Sequence, residues 1–528
     1  MVEIPEMNFR QQNGACVVLR AARAAGVNVC FANPGTTEMP FVGALDMVDG
    51  VRPILGLFEG VCTGAADGYG RMAGKPAMTL LHLGPGHANG IANLHNARRA
   101  RTPILNIVGD HTRAHVKYDA PLTSDIESLA RPVSVWYRSV ADQGDLARDT
   151  LDAIAAAMGG GGTRGVATLV LPVDLQAVSV DASQQVEASE TPVKGFQPAR
   201  VSEVAALLRR GTPAVILMGD RALSARGQEA AARIAAATGA RCYSETFPAR
   251  TERGGGLPDI DRLPYFPEPA LAALDARKVV LAGALAPVTY FGYEGIPSEL
   301  AAPDDIVTLA TPGEAADEAL EALALELDLG HHLVAGVAAQ RWEIDDGDLT
   351  PQAVGRILSN ALPANAIVSV EGGTCGYPFV TACARAARHT ILTNTGGAIG
   401  QGLPVALGAA VACPERRVFA LQSDGSAQYT IQSLWTMARE RLPIVMLITS
   451  NKRYGILQTE LNRSGLPTDA PNSKRLTLLD DPAIDWQALS KGYGVPSQRV
   501  ATTQALVLAI EKALAHTDGP SLIEMCLP

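Results

Sequence analysis

Ser423-Asp424-Gly425-Ser426-Ala427 and Ser450-Asn451-Lys452-Arg453 are the two stretches that decide the fold, because each follows an apolar run typical of a β-strand. The runs cover 417–422 and 443–449. Between them, 426–442 carries apolar residues at a 3.6-residue spacing, which predicts a helix: Ile431, Leu434, Trp435, Ala438 and Leu442. The pattern predicts a right-handed βαβ unit, which brings both strand ends to one edge of a parallel sheet.

This edge is predicted to hold a metal–diphosphate site. Asn451 stands 27 positions after Asp424, and the two side chains should lie next to each other. The helix beginning near Ser426 should point its N-terminus between them. Carboxylate and amide oxygens suit Mg²⁺, and a helix N-terminus suits the phosphates that Mg²⁺ accompanies. The alternative is an ordinary Asp-Gly turn before a capped helix.

Composition excludes several classes of protein. The chain has 528 residues, 47% of them hydrophobic, so it can form several domains with sizeable cores. Its net charge of −10 and the lack of a basic run argue against a nucleic-acid partner. The eight cysteines show no CxxC pair, which indicates reduced thiols in a cytoplasmic protein. The first residues lack the basic and apolar regions of a signal peptide and no apolar run approaches 18 residues, so we expect neither a signal peptide nor a membrane span.

The alternation of strands and helices predicts an α/β protein with three parallel-sheet domains, at 1–182, 199–330 and 350–528. Polar linkers are predicted at 183–198 and 340–350. The strands predicted in the first domain are Val27–Ala32, Ile54–Phe58, Ala77–His82 and Ile104–Val108. Those predicted in the central domain are Ala214–Met218, Arg241–Ser244, Val279–Ala282 and Ile306–Leu309.

Three polar residues follow strands of the first domain. Thr36 lies just beyond the first strand, Glu59 ends the second and opens a helix rich in small residues, and His82 ends the third. All three should therefore lie at one carboxyl edge, where α/β sheets bind ligands. For Glu59, an ordinary helix-start role is equally open on position alone, and a lone strand-end histidine is more often structural.

A glycine-rich stretch offers a competing hypothesis. Gly396-Gly397-Ala398-Ile399-Gly400-Gln401-Gly402 looks like a dinucleotide fingerprint, but its glycine order reverses GxGxxG. The acidic residue expected about 20 positions later is also missing, since that region is 418–422. The pattern therefore argues against NAD binding.

Taken together, these motifs resemble those of the thiamine diphosphate-dependent enzymes. The Asp424–Asn451 spacing resembles the Gly-Asp-Gly…Asn-Asn signature, with Ser423 and Ser450 as departures. Within that family, Asn33-Pro34-Gly35-Thr36-Thr37-Glu38-Met39-Pro40-Phe41 is closest to benzoylformate decarboxylase and the acetolactate-synthase-like proteins. The resemblance implies a pyrimidine-binding, a central and a diphosphate-binding domain.

The resemblance also implies a residue set for thiamine diphosphate and Mg²⁺. Asp424, Asn451 and the backbone carbonyl of Arg453 would hold the metal. Glu59 would bond the aminopyrimidine and drive formation of the ylide, while the Gly397 carbonyl and the Ile399 side chain would hold the cofactor bent. The other implied cofactor contacts are Pro34, Gly35, Gly373, Thr374, Gly425, Ser426, Tyr429, Tyr454 and Gly455. In this family the site lies between subunits, which implies a homodimer or homotetramer.

The implied reaction is decarboxylation of a 2-oxo acid by ylide attack, loss of CO₂ and protonation of the enamine. Thr36 falls on the substrate-carboxylate serine and His82 on an active-site histidine, which makes both catalytic candidates beside Glu59. The decarboxylase has a second active-site histidine, and Phe291 stands nearest its position here. Without that second acid, capture of the intermediate by an aldehyde or a second 2-oxo acid is favoured.

Acetolactate synthase proper is less well matched. The Phe-Gln pair of its acceptor pocket is replaced after Asp119-Ala120 by Pro121-Leu122, and its lid tryptophan is missing near Glu460 and Leu461. We expect no FAD, since 199–325 shows no convincing flavin site. Three hypotheses remain: a 2-oxo acid decarboxylase, which we favour, a carboligase or acyloin-cleaving transferase, and an inactive cofactor-binding subunit.

Overall fold

The computed structural model describes residues 12–160, 162–180, 194–275, 277–330 and 334–528. The N-terminus and most of the linker predicted at 183–198 lie outside these ranges. The described chain forms three mainly parallel sheets covered by helices, with six, five and seven strands. The predicted α/β class is therefore confirmed.

The first sheet has the strand order β2-β1-β3-β4-β6-β5, and all its pairs are parallel. Its strands are β1 (Val29–Asn33), β2 (Arg52–Leu55), β3 (Ala77–Leu81), β4 (Ile104–Asp110), β5 (Trp136–Ser139) and β6 (Val166–Pro172). Its helices are α1 (Gly14–Ala24), α2 (Met39–Leu45), α3 (Glu59–Ala73), α4 (Leu83–Ala100), α5 (Ile126–Ala130), α6 (Leu146–Ala157) and α7 (Val173–Ala177).

One strand of this sheet is shorter than predicted. The strand expected at Ile54–Phe58 ends at Leu55, because the chain bends away from the sheet at Leu57 and Phe58. A side chain at Gly56 would overlap the Cys62 sulfur, at 2.6 Å. Glu59 therefore does not end the strand, although it does open α3 as predicted.

The central segment contributes strands β7 (Ala214–Met218), β8 (Arg241–Ser244), β9 (Thr251–Arg253), β10 (Asp261–Arg262), β11 (Lys278–Ala282) and β12 (Ile306–Ala310). Five of them form a parallel sheet in the order β10-β8-β7-β11-β12. The sixth, β9, leaves this sheet and pairs antiparallel with β14 of the third sheet. The helices are α8 (Pro198–Arg209), α9 (Ala225–Thr238), α10 (Pro267–Leu274) and α11 (Ala316–Glu326).

The third sheet has the order β17-β18-β16-β15-β13-β14-β9. Its own strands are β13 (Ala366–Val370), β14 (His389–Thr393), β15 (Val418–Ser423), β16 (Ile444–Ser450), β17 (Ser497–Val500) and β18 (Ser521–Cys526). Its helices are α12 (Pro351–Ala361), α13 (Gly373–Ala382), α14 (Gly402–Ala412), α15 (Asp424–Ala427), α16 (Ser433–Arg439), α17 (Gly455–Arg463), α18 (Pro471–Thr477), α19 (Trp486–Gly492) and α20 (Thr503–Ala515).

The prediction of one continuous helix over 426–442 is wrong in detail. The helix begins two residues earlier, at Asp424, and a 3₁₀ turn at Gln428–Thr430 separates α15 from α16. At this interruption the Thr430 hydroxyl donates to the carbonyl of Gly400, at 2.7 Å. The chain thus bends around the glycine-rich loop instead of continuing as one helix.

Helices α3 and α14 join the first and third segments. A side chain at Gly408 would lie 1.8 Å from the Ala65 carbonyl oxygen, so only glycine allows this approach. Beside this contact, buried Asp67 accepts bidentate hydrogen bonds from Arg71, at 2.8 and 2.6 Å, and a third from Gln401 at 2.7 Å. Arg71 also donates to the Thr393 carbonyl. The small-residue helix is therefore explained by close packing.

Buried His389 predicts an acid-dependent loss of stability. Burial lowers the pKa of His389 to about 4, from 6.5, so the folded protein holds the ring neutral while the unfolded chain protonates it below pH 6.5. The ring's contribution to stability is therefore lost as the pH falls from 6.5 toward 4. Between pH 7 and 5 we expect it to lower the free energy of unfolding by about 2 kcal/mol.

The measurement is urea unfolding at both pH values for wild type and His389→Gln. The variant should lose less stability between pH 7 and 5 than the wild type does. His115→Gln, which changes an exposed ring, is the matched control and should keep the wild-type difference. Equal pH differences in wild type and His389→Gln would contradict the prediction.

Candidate active site

The two stretches that follow β15 and β16 meet at the carboxyl edge of the third sheet. Asp424 is buried, and its carboxylate accepts backbone hydrogen bonds from Lys452 at 2.6 Å and from Gly425 at 2.9 Å. Asn451 donates through its side-chain amide to the Thr374 hydroxyl, at 3.1 Å. The adjacent positions expected for Asp424 and Asn451 are thus present, and Thr374 joins them.

Two helices begin at this point. α13 starts at Gly373, next to Thr374, and α17 starts at Gly455. A side-chain carbon at Gly455 would lie 3.8 Å from the Asn451 amide nitrogen and 3.9 Å from the Thr374 hydroxyl. Unpaired N–H groups at helix N-termini attract phosphate. Two such termini around one hydroxyl and one amide fit a diphosphate.

The electrostatics of Asp424 fit a cation. Burial raises the pKa of Asp424, although the hydrogen bonds from Lys452 and Gly425 act in the opposite direction. In the described part of the chain no lysine or arginine forms an ion pair with this carboxylate. The described residues also contain no group of three or more histidine, cysteine, aspartate or glutamate side chains that could hold a metal ion by themselves. One carboxylate, one amide oxygen and diphosphate oxygens are a donor set that Mg²⁺ accepts.

The glycine-rich loop at 396–402 is held by the carboxylate of Glu371, which the sequence analysis did not predict as a site residue. Buried Glu371 accepts backbone hydrogen bonds from Gly400 at 2.7 Å and from Gly402 at 2.6 Å. Burial raises the pKa of Glu371, against the effect of those bonds. Gly397 adopts φ +77°, a conformation that favours glycine, and Ile399 remains 37% exposed beside it.

Glu59 and His82 come together at the carboxyl edge of the first sheet, where β2, β1 and β3 are neighbours. A side-chain carbon at Gly86 would lie 3.2 Å from a Glu59 carboxylate oxygen and 3.3 Å from His82 Cβ. Glu59 is largely buried and accepts a hydrogen bond from the Asn89 amide at 3.0 Å. Glycine at position 86 leaves space between the two side chains.

His82 is fixed by a buried carboxylate. Glu38 Oε2 lies 2.8 Å from His82 Nδ1 and also accepts the backbone N–H of Gly35, at 2.7 Å. The Thr37 hydroxyl donates to the other Glu38 oxygen and lies 3.1 Å from Nδ1. This arrangement places a proton on Nδ1 and leaves Nε2 free for a ligand. A side chain at Gly35 would overlap the imidazole, at 2.3 Å.

Sequence reasoning missed Glu38 and Thr37, although both stand in the quoted Asn33–Phe41 stretch. A signal was present in the stretch: a carboxylate stands three residues after Gly35, at the end of the 3₁₀ turn Thr36–Glu38, and it accepts the backbone N–H of Gly35. Thr36, the predicted residue, is exposed, and its neighbour Thr37 is the one that contacts His82.

The remaining candidates lie around the diphosphate edge, except for Pro34, which lies at the edge of the first sheet. Ser426 is buried and bonds the Ser423 carbonyl, while a side chain at Gly425 would meet the Tyr454 ring at 2.5 Å. Tyr429 is 53% exposed. Arg453 is exposed, and its backbone N–H donates to Asn451 Oδ1 at 3.2 Å. Pro34 is partly buried next to Gly35.

The fold and these two edges define an α/β enzyme that binds a phosphorylated cofactor, and comparison with known families identifies which one. The family described as "Thiamine pyrophosphate enzyme, N-terminal TPP binding domain" matches residues 12–129. The one described as "Thiamine pyrophosphate enzyme, C-terminal TPP binding domain" matches residues 374–525. The chain therefore belongs to the thiamine diphosphate-dependent enzymes, and its two binding domains indicate that cofactor.

Similar proteins extend over the whole chain. A Mycobacterium tuberculosis protein provisionally named acetolactate synthase large subunit IlvX is 49% identical, covering 98% of this chain and 99% of its own length. Benzoylformate decarboxylase of Pseudomonas aeruginosa is 30% identical, covering 95% and 96%. The structure of a 4-hydroxybenzoylformate decarboxylase from Rhodococcus jostii has a TM-score of 0.82 at 24% identity, covering 98% and 99%, which supports the fold alone.

No helix within the described ranges is both long and apolar enough to cross a membrane. All eight cysteines are free thiols in the structure.

Proposed function

We propose that the protein decarboxylates a 2-oxo acid, with thiamine diphosphate and Mg²⁺ as cofactors. The observation that supports this most is His82, held on Glu38 beside Glu59. A histidine with one nitrogen fixed and the other free is suited to deliver a proton at a defined place. The benzoylformate decarboxylase among the relatives supports an aromatic or otherwise bulky 2-oxo acid as substrate.

Thiamine diphosphate supplies a nucleophilic carbon and an electron sink for such substrates. Asp424, Asn451 and the backbone carbonyl of Arg453 would hold Mg²⁺, and Thr374 would bind the diphosphate. Glu59 would exchange a proton with a ring nitrogen of the pyrimidine. Its position at the start of α3, held by Asn89, keeps one carboxylate group at a fixed place for that exchange.

His82 would protonate the carbon from which CO₂ has left. Glu38 holds the ring through Nδ1, so Nε2 can give up a proton and regain one without rotation of the ring. The side chain of His82 is 20% exposed, so the regained proton can come from solvent. Thr36 would contact the substrate carboxylate from the exposed side of the same turn.

A second candidate is carboligation, in which an aldehyde or a second 2-oxo acid captures the intermediate before it is protonated. The observation that favours it is Phe291, which is 57% exposed on the loop after β11 and cannot act as an acid. The acetolactate synthase name of the 49% relative points the same way.

The active unit would be a homodimer or homotetramer with sites between subunits. Apolar side chains around the diphosphate edge are exposed in the single chain, including Ile399 at 37%, Tyr429 at 53% and Leu457 at 45%. A second copy that brings its Glu59 to this edge would cover them. Exposed apolar patches of this kind mark interfaces.

His82→Ala should slow aldehyde release more than CO₂ release. The variant lacks the proton donor for the last step, whereas the steps up to CO₂ loss do not use that donor. The measurement is product analysis with benzoylformate and pyruvate, with and without added acetaldehyde. We expect the ratio of acyloin to simple aldehyde to rise at least about tenfold in the variant, a conservative share of what a positioned acid contributes.

Glu38→Gln tests the same idea through the position of the ring, because the amide keeps the shape of the side chain but replaces the carboxylate that bonds Nδ1. It should move the ratio in the same direction and shift the pH profile of aldehyde release. His115→Ala, at an exposed ring, is the control. If both variants keep the wild-type rate and the wild-type ratio of acyloin to aldehyde, His82 has only a structural role. If the wild-type protein acts on no 2-oxo acid, the proposed decarboxylase function is contradicted.

A further inference from the structure

Two helices that begin at the diphosphate edge lead to the same group of aromatic side chains. This aromatic cluster consists of Phe247, Tyr265, Phe266, Tyr290 and Tyr377. Helix α13 carries Tyr377, whose ring centroid lies 4.4 Å from the guanidinium of Arg262. Helix α17 ends at Arg463, whose guanidinium lies 4.4 Å from the centroid of the Phe266 ring. The aromatic cluster thus spans both helices on the side of the central segment.

The rings of the aromatic cluster are only partly covered. Tyr290, on the loop after β11, packs against Phe247 and Tyr265, with ring centroids 5.3 and 5.0 Å apart. Tyr290 is 42% exposed, and Phe291 beside it is 57% exposed. Rings with this much free surface can take up the aromatic ring of a ligand through edge or offset contacts.

One carboxylate lies on the helix face that leads to these rings. Glu460 stands four residues after Ile456 and three before Arg463, so the three side chains share one face of α17. Arg463 closes one end of that face on the aromatic cluster. Ile456, at 51% exposed, leaves the other end open near the diphosphate edge. Glu460 therefore stands between the cofactor edge and the rings.

The carboxylate of Glu460 lacks a donor at one oxygen. Oε1 is shielded from solvent and has no hydrogen-bond partner among the described residues. Arg463, on the same face, pairs instead with Glu268 at 2.9 Å. Arg463 also contacts the ring of Tyr293, at 5.2 Å, and burial and then the Glu460 carboxylate raise the pKa of that phenol. A shielded carboxylate oxygen without a donor costs free energy that a ligand with a donor would recover.

We propose that Glu460 selects aromatic 2-oxo acids whose ring carries a hydrogen-bond donor at its far end, such as a phenolic hydroxyl group. The proposal rests on the proposed function, since the 2-oxo acid group would react at the cofactor edge while the ring extends along α17. The aromatic cluster would contact the ring, and Oε1 of Glu460 would accept the hydrogen bond of the donor. A ring without the donor would leave this oxygen unpaired and would bind less tightly.

The test compares 4-hydroxybenzoylformate with 4-fluorobenzoylformate, because fluorine is close to a hydroxyl group in size but donates no hydrogen bond. Wild type loaded with thiamine diphosphate and Mg²⁺ should have a kcat/KM at least about tenfold higher for the hydroxyl compound, as a hydrogen bond to a charged group implies. Glu460→Leu should bring the two values within about threefold of each other. Glu511→Leu, the same exchange at an exposed position of α20, should keep the wild-type preference.

Glu460→Gln keeps the side-chain shape and removes the charge, so it decides the matter if the leucine variant does not fold. It should lose most of the preference, because charge-assisted hydrogen bonds are the stronger ones. Calorimetric titration of 4-hydroxymandelate and 4-fluoromandelate tests Glu460 without turnover, since neither compound has a 2-oxo group. If no 2-oxo acid is decarboxylated, the proposed function fails and this titration alone decides the role of Glu460. Equal affinities in wild type, or a preference that survives in both Glu460 variants, would overturn the proposal.

Discussion

Glu59→Gln is expected to exchange the C2 proton of bound thiamine diphosphate at least about a hundredfold more slowly than wild type, the low end for a positioned proton-transfer group. The amide has nearly the same shape and can still accept a hydrogen bond from Asn89, so cofactor binding should survive. An amide cannot take up and return a proton as the carboxylate does. The measurement is deuterium exchange at C2, read by NMR after acid quench.

The matched control is Glu127→Gln, which changes another glutamate in the first turn of a helix. Glu127 lies on α5 with its side chain 50% exposed, so its loss should leave C2 exchange unchanged. Cofactor affinity is measured for both variants by calorimetry. A Glu59 variant that binds cofactor and exchanges at the wild-type rate would return Glu59 to an ordinary helix-start residue.

Asp424→Ala is expected to lower the affinity for thiamine diphosphate in the presence of Mg²⁺ by at least about tenfold, or 1.4 kcal/mol. The carboxylate is buried, and no described lysine or arginine pairs with it, so a metal is the charge that would balance it. Without the carboxylate, Mg²⁺ would bind more weakly, and the diphosphate would lose part of the positive charge that compensates it. Calorimetric titration at fixed and at varied Mg²⁺ measures the loss.

The dependence on Mg²⁺ separates a metal role from a structural one. In Asp424→Ala the affinity should recover partly as Mg²⁺ is raised, since the remaining ligands bind the ion more weakly. Asp469→Ala, an exposed carboxylate between α17 and α18, should leave the affinity unchanged. An Asp424 variant with wild-type affinity would rule out this loop as the diphosphate site.

The fold was predictable because its signals are local. Alternating apolar strands and amphipathic helices give an α/β protein, and the strand ends that carry Asp424 and Asn451 meet because parallel neighbours share an edge. What the spacing could not show was the bend at Gln428–Thr430, which depends on a hydrogen bond to a loop about 30 positions away. The short strand β9 was also missed, since three residues carry almost no periodicity.

The candidate site was predictable in part for the same reason. Glu59 and His82 could be placed on one edge from their positions after strands, and the resemblance assigned them roles that remain predictions. Glu38 was missed because its function is to support His82 through a contact between residues 44 positions apart. Supporting carboxylates such as Glu38 and Glu371 have no sequence motif of their own, because any acidic residue that reaches the right atom will serve.

The strand Thr251–Arg253 has a consequence for how the protein could be shortened or rearranged. It crosses from the central segment and covers the β14 edge of the third sheet with three residue pairs. An uncovered edge presents free N–H and C=O groups that recruit other chains. Excising the central segment would therefore leave the cofactor-binding sheet with an open flank, and the trimmed protein would tend to aggregate rather than persist as a smaller enzyme.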